Sequence, residues 1–244
     1  MEMTVEQTLL VMLALGAGAF VQSLIGFGLA IVAAPIVMMI EPTLVPSAVT
    51  MVTLCLASIN TWQYRRQISL KGLGWAFIGR IPGTFVAGVM LIYLSLNVLE
   101  IAMGVAVLFA VVASVFKFSV EPNNKNMFWA GFTAAVMGTN TTMGGPPMAL
   151  VLQKMDVAMM RANLAGYFVF SCVISLVVLA MTGYFNLWHV KVSLMSLPIV
   201  FVSSWVAFRI APHIRAEWVR YGLLVLCSFA GITTLIRGIF SVSS

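Results

Sequence analysis

The sequence predicts an all-α integral membrane protein made of two repeats with inverted topology, each a glycine-broken re-entrant helix hairpin followed by three transmembrane helices. Composition gives the class, because 61% of the 244 residues are hydrophobic, only 8% are charged and the mean hydropathy is +1.06. Such a chain lacks the polar surface that a soluble domain needs. Apolar stretches that recur along the chain and landmarks that repeat in its second half give the architecture.

Eight apolar stretches are separated by short polar interruptions, and a helix that spans a bilayer needs about 20 mainly apolar residues. The polar stretch at 121–126 divides them four and four, which predicts a membrane repeat over 1–120, a short cytoplasmic linker over 121–126 and a second repeat over 127–244. The stretches are 8–40, 43–63, 73–94, 98–117, 127–153, 160–182, 191–210 and 219–240.

The two halves share the spacing of their landmarks. Gly28, Cys55 and Pro82 are separated by 27 and 27 residues, and their counterparts are separated by 27 and 26. Those counterparts are Gly145, Cys172 and Pro198. A duplicated half is the simplest explanation.

Glycines interrupt the first stretch of each half, at 26–28 and at 144–145. The distribution of Lys and Arg residues indicates whether each broken stretch crosses the membrane or returns to the same side. If each broken stretch crosses once, at best eight of the 13 Lys and Arg residues lie inside. If each returns as a hairpin, eleven lie on or near the cytoplasmic side and two outside, as the positive-inside rule favours. The second arrangement inverts the halves and places both termini outside the cytoplasm.

Several function classes are excluded by the residues present. Cys55, Cys172 and Cys227 lack the spacing of metal ligands, and the spans hold no Ser/His pair or twin aspartate, so we expect neither an enzyme nor a cofactor. The net charge of +6 comes mainly from short loops and predicts orientation, not a nucleic-acid partner. The expected partners are membrane lipid and a small anion, and a homodimer stays open.

The glycines and prolines at the start of each half resemble those of the sulfite exporter TauE/SafE family of bacterial membrane proteins. This resemblance covers essentially the whole chain and implies export of sulfite, of sulfonates such as sulfoacetate, or of related sulfur oxyanions. The residues that carry it are Gly16, Gly18, Gly26, Phe27, Gly28 and Pro35, and then Gly131, Gly138, Gly144, Gly145 and Pro146.

A helix that restarts within the membrane presents free N–H groups and a partial positive charge, which suits an anion. Restarts are predicted near Leu29 and near Pro146, each next to polar residues. The alternative is that the glycines serve only close helix packing. The candidate anion-binding residues at the two breaks are Gln22, Ser23, Gly26 and Gly28, and Thr139, Asn140, Thr141, Thr142, Gly144 and Gly145.

Arg80 completes the candidate site, because it lies within the segment that begins near Leu73, and a charge at that depth is costly and usually functional. Snorkelling towards the cytoplasmic surface is the alternative. Arg161 is interpreted as a determinant of topology. Glu41 and Asp156 follow the two hairpins and either cap helices or couple transport to protons.

These expectations combine into a hypothesis. The chain is a secondary transporter in the cytoplasmic membrane that exports a small sulfur-containing anion by rocking one repeat against the other around an anion held between the hairpin tips. An anion channel that uses the same helix N-termini, or a transporter of a non-sulfur carboxylate, is the alternative. A non-transporting assembly factor would not need paired polar breaks.

Overall fold

The computed structural model describes residues 3–69, 73–93, 121–141, 144–152, 155–211 and 213, together with separate positions between 98 and 112 and between 217 and 239. Throughout these residues the chain is helical apart from short turns, and they contain no strand. The helices with traced bounds are α1 (Val5–Ile25), α2 (Leu29–Ile40), α3 (Ser47–Tyr64), α4 (Leu73–Tyr93), α5 (Asn124–Thr141), α6 (Gly145–Leu152), α7 (Val157–Met181) and α8 (Leu187–Ile210).

The first glycine break separates α1 from α2. A capping box between Thr4 and Gln7 begins α1. Gly26 ends it with φ 105°, and Gly28 precedes α2 with φ 125°, two backbone conformations that L side chains avoid. A Cβ atom on Gly18 would lie 2.6 Å from the carbonyl oxygen of Leu29, so α2 starts beside the body of α1 and the chain has reversed direction.

The second break follows the same plan. Helix α5 ends at Thr141, α6 begins at Gly145, and its first turn holds two prolines, which need no N–H there. Gly144 packs against the backbone of Ala134 and lies beside Gly138, so the chain reverses here as well. Helices therefore begin at Leu29 and at Gly145, at or next to the positions where the sequence predicted restarts. The arms are unequal, because α1 has 21 residues and α2 has 12, while α5 has 18 and α6 has 8.

Four of the described helices are long and apolar enough to cross a membrane. They include α1, α8, residues Leu73–Met90 of α4 and residues Ala158–Met181 of α7. Several helices begin earlier than the hydropathy predicted, because a capping residue sets the start: Asp156 accepts a hydrogen bond from the amide of Ala158, and Asn186 forms a capping box with His189. Helix α5 begins at Asn124, inside the predicted linker. The stretches 98–117 and 219–240 lie mostly outside the described residues.

Glycines bring helices from the two halves of the sequence into close contact. Gly79 of α4 lies against the backbone of Phe128 of α5 and Gly83 lies against Phe132, so the two helices run parallel. The packing of α1 on α8 is the counterpart of this pair, with Gly16 against the side chain of Ile199. Each glycine-broken helix pair thus packs on a helix from the other half of the sequence, while α3 packs on α7.

Two large apolar clusters form most of the interior of the described residues, and a small third one lies at Leu179. One large cluster contains residues of α1, α2, α3 and α8, and the other contains residues of α4, α5, α6 and α7 with Ala57 of α3. Phe27, in the first glycine break, packs against both. Each large cluster therefore combines one glycine-broken helix pair with a helix from the other half of the sequence, and Phe27 contacts both clusters.

The contact between α4 and α5 can be tested at its glycines. A Cβ atom on Gly79 would overlap the backbone of Phe128, so we expect Gly79→Ala to lower the free energy of unfolding by about 1–3 kcal/mol, the range for overpacking. Gly74→Ala, in the same helix, is the control because no atom lies within 4 Å of that position. Thermal unfolding of purified protein measures both variants, and equal midpoints would contradict the packing described.

Candidate functional site

Arg80 is the most deeply buried charge among the described residues, with an exposed fraction of 1%. Its Nη1 donates a hydrogen bond to the carbonyl oxygen of Ala134 at 2.9 Å. Its Nη2 donates to the carbonyl oxygen of Ser171 at 3.3 Å and to Oγ of Ser175 at 2.6 Å. The ring of Tyr167 lies 6.0 Å from the guanidinium carbon. The side chain therefore does not snorkel to the surface, and the alternative interpretation of Arg80 is wrong.

The hydrogen bonds of Arg80 hold the cation without neutralising it. All three acceptors are neutral oxygen atoms, and its Nε has no acceptor among the described residues. Hydrogen bonds to a charged group contribute roughly 1.5–3 kcal/mol each, comparable in sum with the several kcal/mol that burying one ion costs. These hydrogen bonds offset part of the cost of burying the guanidinium, and its positive potential extends into the surrounding protein.

A small cavity lies beside this cation, between α3, α7 and the second glycine break. Ser171 and Ser175, both partners of Arg80, form part of its wall. The other lining residues are Thr50, Thr53, Gly138, Gly144, Phe168 and Cys172. Most of these side chains are hydroxyl-bearing or absent, so the cavity offers donors and open backbone next to a positive charge.

Thr139 connects the second break to Arg80. This fully buried residue forms a 3.1 Å hydrogen bond with the hydroxyl of Ser175. Gly138 is close enough to Arg80 that a Cβ atom there would lie 3.2 Å from Nη1. The structure therefore brings together three predicted site residues, Arg80, Thr139 and Gly144.

The two glycine breaks also meet. A Cβ atom on Gly145 would lie 3.1 Å from the side chain of Phe27 and 3.3 Å from the ring of Phe168. Gly26 packs against α7 at Arg161 and Leu164. The two breaks thus come into contact, and the described residues that meet there are glycine and aromatic.

Gln22 and Ser23, two of the predicted anion-binding residues, are buried and form hydrogen bonds within the protein. Oε1 of Gln22 accepts a hydrogen bond from the amide of Leu29 at 3.1 Å, so this side chain caps α2. The hydroxyl of Ser23 donates to Oδ1 of Asn60 at 3.4 Å. Neither is among the described residues that line the cavity. The turn at Gly28, which precedes α2, brings the amide of Leu29 within hydrogen-bonding distance of the Gln22 side chain.

The remaining predicted residues of the second break are only partly described. Asn140 and Thr141 belong to the last turn of α5, and their side chains lie outside the described parts of the structure. Thr142 lies outside the described residues altogether.

The two acidic residues after the hairpins act as caps. Glu41 accepts hydrogen bonds from the amide and the hydroxyl of Thr43, the latter at 2.7 Å. Asp156 accepts from the amide of Ala158 at 3.0 Å. Both residues are thus tied to a helix start, which is the more ordinary of the two roles considered for them.

Four cavity residues, Thr50, Thr53, Ser171 and Ser175, were not identified as site residues from the sequence. A signal was present, because they form pairs at i, i+3 and i, i+4, spacings that place each pair on one helix face. Hydroxyl residues are common in membrane helices and usually bond to their own backbone, as Thr53 does with the carbonyl of Val49. The pairs become meaningful only once α3 and α7 are known to be neighbours.

The described helices and this site define a multi-pass membrane protein with a buried cation beside a hydroxyl-lined cavity. No group of three or more His, Cys, Asp or Glu residues that could hold a metal is found among the residues described. The model of the sulfite exporter TauE/SafE family matches residues 10–234, and the chain belongs to this family of membrane transporters of sulfur-containing anions. No curated protein and no solved structure matches the chain.

The cap on α2 gives a stability test. Gln22→Met removes the acceptor of the Leu29 amide while keeping the length of the side chain, and an unsatisfied buried donor costs about 1–3 kcal/mol. We therefore expect a lower thermal midpoint for this variant. Gln63→Met, at an exposed position of α3, is the control and should unfold like the parent protein. If the two variants are equally stable, Gln22 is not a structural cap.

Proposed function

We propose that the chain is a secondary transporter that exports a small sulfur-containing oxyanion, such as sulfite or the sulfonate sulfoacetate, across the cytoplasmic membrane. The observation that carries this proposal is the buried guanidinium of Arg80, held by neutral oxygen atoms beside a cavity. Ionisable groups at membrane depth are rare and mark substrate pathways. An anion in the cavity would balance this charge, which has no acidic partner among the residues that the structure describes.

The packing of α3 on α7 supports two inverted repeats. These helices occupy equivalent places in the two halves. The cavity joins Thr50 near the start of α3 to Ser175 near the end of α7, while at the other end Ser69 donates its amide to Asn163 near the start of α7. Equivalent helices that run antiparallel are what an inverted duplication produces, and such duplications underlie alternating access in many transporters.

The bodies that move in this proposal are the two apolar clusters, not the two halves of the sequence. Each cluster holds one hairpin together with a helix from the other half of the sequence. The cavity lies at the seam of α3 and α7, with Thr50 and Thr53 on one wall and Ser171 and Ser175 on the other. Rocking of one cluster against the other would open this seam alternately to the two sides.

Arg80 gives the direct test of transport. In proteoliposomes loaded with sulfite or sulfoacetate, we expect Arg80→Gln to reduce flux at least tenfold, because the charge that balances the anion is lost. Arg80→Lys keeps the charge without the planar fork and should retain part of the flux. Arg209→Gln, at an exposed position where the guanidinium lies 5.0 Å over the ring of Trp205, is the control. Full flux in folded Arg80→Gln would remove the site.

The same vesicles separate a carrier from an anion channel. A carrier saturates at low substrate, and its efflux rises when the same anion is present on the opposite side, because the loaded protein returns faster than the empty one. A channel with a continuous wet pore shows neither property. Flux of acetate equal to that of sulfite would favour a carboxylate transporter.

Labelling tests the hairpin topology. In a variant without other cysteines, single cysteines at Glu6 and Thr43 flank the first hairpin, and both positions are exposed. We expect an impermeant maleimide added from the extracytoplasmic side to label both, and a cysteine at Arg66 to react only from the cytoplasmic side. Labelling of positions 6 and 43 from opposite sides would show that the first stretch crosses the membrane and would exclude the inverted arrangement.

A further inference from the structure

We infer that the hydroxyls of Thr50 and Ser175 are the direct ligands of the transported oxyanion, and that Arg80 acts on it through Ser175. This inference rests on the proposed function and names the atoms that the anion would contact. Thr50 belongs to α3 and Ser175 to α7, and both line the cavity. The anion would therefore bridge the two helices that form the seam.

The hydrogen bonds of Ser175 leave it one role towards the cavity. A hydroxyl has one hydrogen to donate and two lone pairs that accept. Nη2 of Arg80 donates to Oγ of Ser175 at 2.6 Å, and the hydroxyls of Ser175 and Thr139 lie 3.1 Å apart, a pair in which either can donate. When Thr139 donates, both lone pairs of Ser175 are engaged and Ser175 has its own hydrogen left to donate. That hydrogen is polarised by the cation behind it, which makes Ser175 a strong donor to an anion.

Thr50 faces the same cavity with an unused hydroxyl. The residue is 4% exposed, and its Oγ1 has no hydrogen-bond partner among the described residues. The neighbouring Thr53 satisfies its hydroxyl on the carbonyl of Val49, so the backbone of α3 permits that solution. A buried hydroxyl without a partner is a cost in the empty protein, and a bound anion would remove it.

The arrangement suits a group with several oxygen atoms around one centre. Thr50 and Ser175 supply donors from opposite walls, and Ser171 adds a third hydroxyl-bearing side chain to the lining. The backbones of Gly138 and Gly144, which pack against each other, complete the lining without adding a side chain. Sulfite and the sulfonate group both present three oxygen atoms, whereas a carboxylate presents two, so we expect the cavity to prefer the sulfur oxyanions.

Thr50→Val tests this inference, because valine has the shape of threonine without the hydroxyl. In the absence of anion we expect the variant to be at least as stable as the parent protein, since only an unpartnered polar atom is lost. With sodium sulfite or sulfoacetate we expect a dissociation constant about tenfold higher or more, as the loss of a hydrogen bond to a charged ligand requires. Thermal shift and titration of the purified full-length chain measure both quantities.

Thr61→Val is a matched control. Thr61 lies on the same helix, and its Oγ1 also lacks a partner among the described residues, but it is not among the residues that line the cavity. Its loss of hydroxyl should likewise leave stability unchanged or improved, and the affinity for sulfite should equal that of the parent protein. If Thr50→Val loses affinity for sulfite while Thr61→Val keeps it, and neither variant is less stable than the parent protein, the loss at position 50 reflects a ligand contact. It is then not a general effect of removing a hydroxyl.

The outcomes distinguish this inference from the function on which it rests. If the parent protein is stabilised by sulfite and Thr50→Val binds it equally well, Thr50 is not a ligand while the transporter proposal stands. If neither sulfite nor sulfoacetate stabilises the parent protein, and neither is transported, both proposals fail. If sodium acetate binds as tightly as sulfite and depends equally on Thr50, the preference for sulfur oxyanions is wrong.

Discussion

The cation of Arg80, held by neutral oxygen atoms, is the constraint around which the described structure is arranged. Its hydrogen bonds reach α5 through Ala134 and α7 through Ser171 and Ser175, so one side chain of α4 fixes three helices relative to one another. A carboxylate in the same place would complete an ion pair and cancel the potential. Neutral acceptors instead keep the charge in place and leave its field available to whatever occupies the neighbouring cavity.

Glycines make this arrangement of Arg80 possible because they allow close packing of helices. The guanidinium contacts the carbonyl of Ala134 only because α4 and α5 touch backbone to backbone at Gly79, Gly83 and Gly131. Interaxial distances of packed helices depend on the side chains at the contact, and residues without a Cβ permit the closest approach. The glycines of α4 and α5 thus serve packing and, through that close packing, position Arg80.

The sequence was sufficient for the features that are local. Positions 26–28 and 144–145 indicate the breaks because closely spaced glycines interrupt apolar runs, and Arg80 is conspicuous because charge is rare in such segments. The features it could not provide depend on neighbours distant in sequence. From the sequence, Gln22 is interpreted as a polar binding residue, because its hydrogen bond to the amide of Leu29 depends on the reversal of the chain. Thr50 is interpreted as an ordinary helix hydroxyl, because its place in the cavity depends on α7 lying opposite. Hydropathy likewise does not predict that the surfaces of α4 and α5 are complementary and pack together.

That pairing also constrains how the polypeptide is assembled. Helix α1 packs on α8, and α4 packs on α5. When only the first 120 residues have been synthesised, these two partners are missing. The glycine-bearing faces of α1 and α4 then contact lipid or the insertion machinery. Arg80 at that moment lacks the carbonyl and hydroxyl acceptors that α5 and α7 later provide. The site is therefore completed late in biogenesis, when α5 and α7 have entered the bilayer and packed against Arg80.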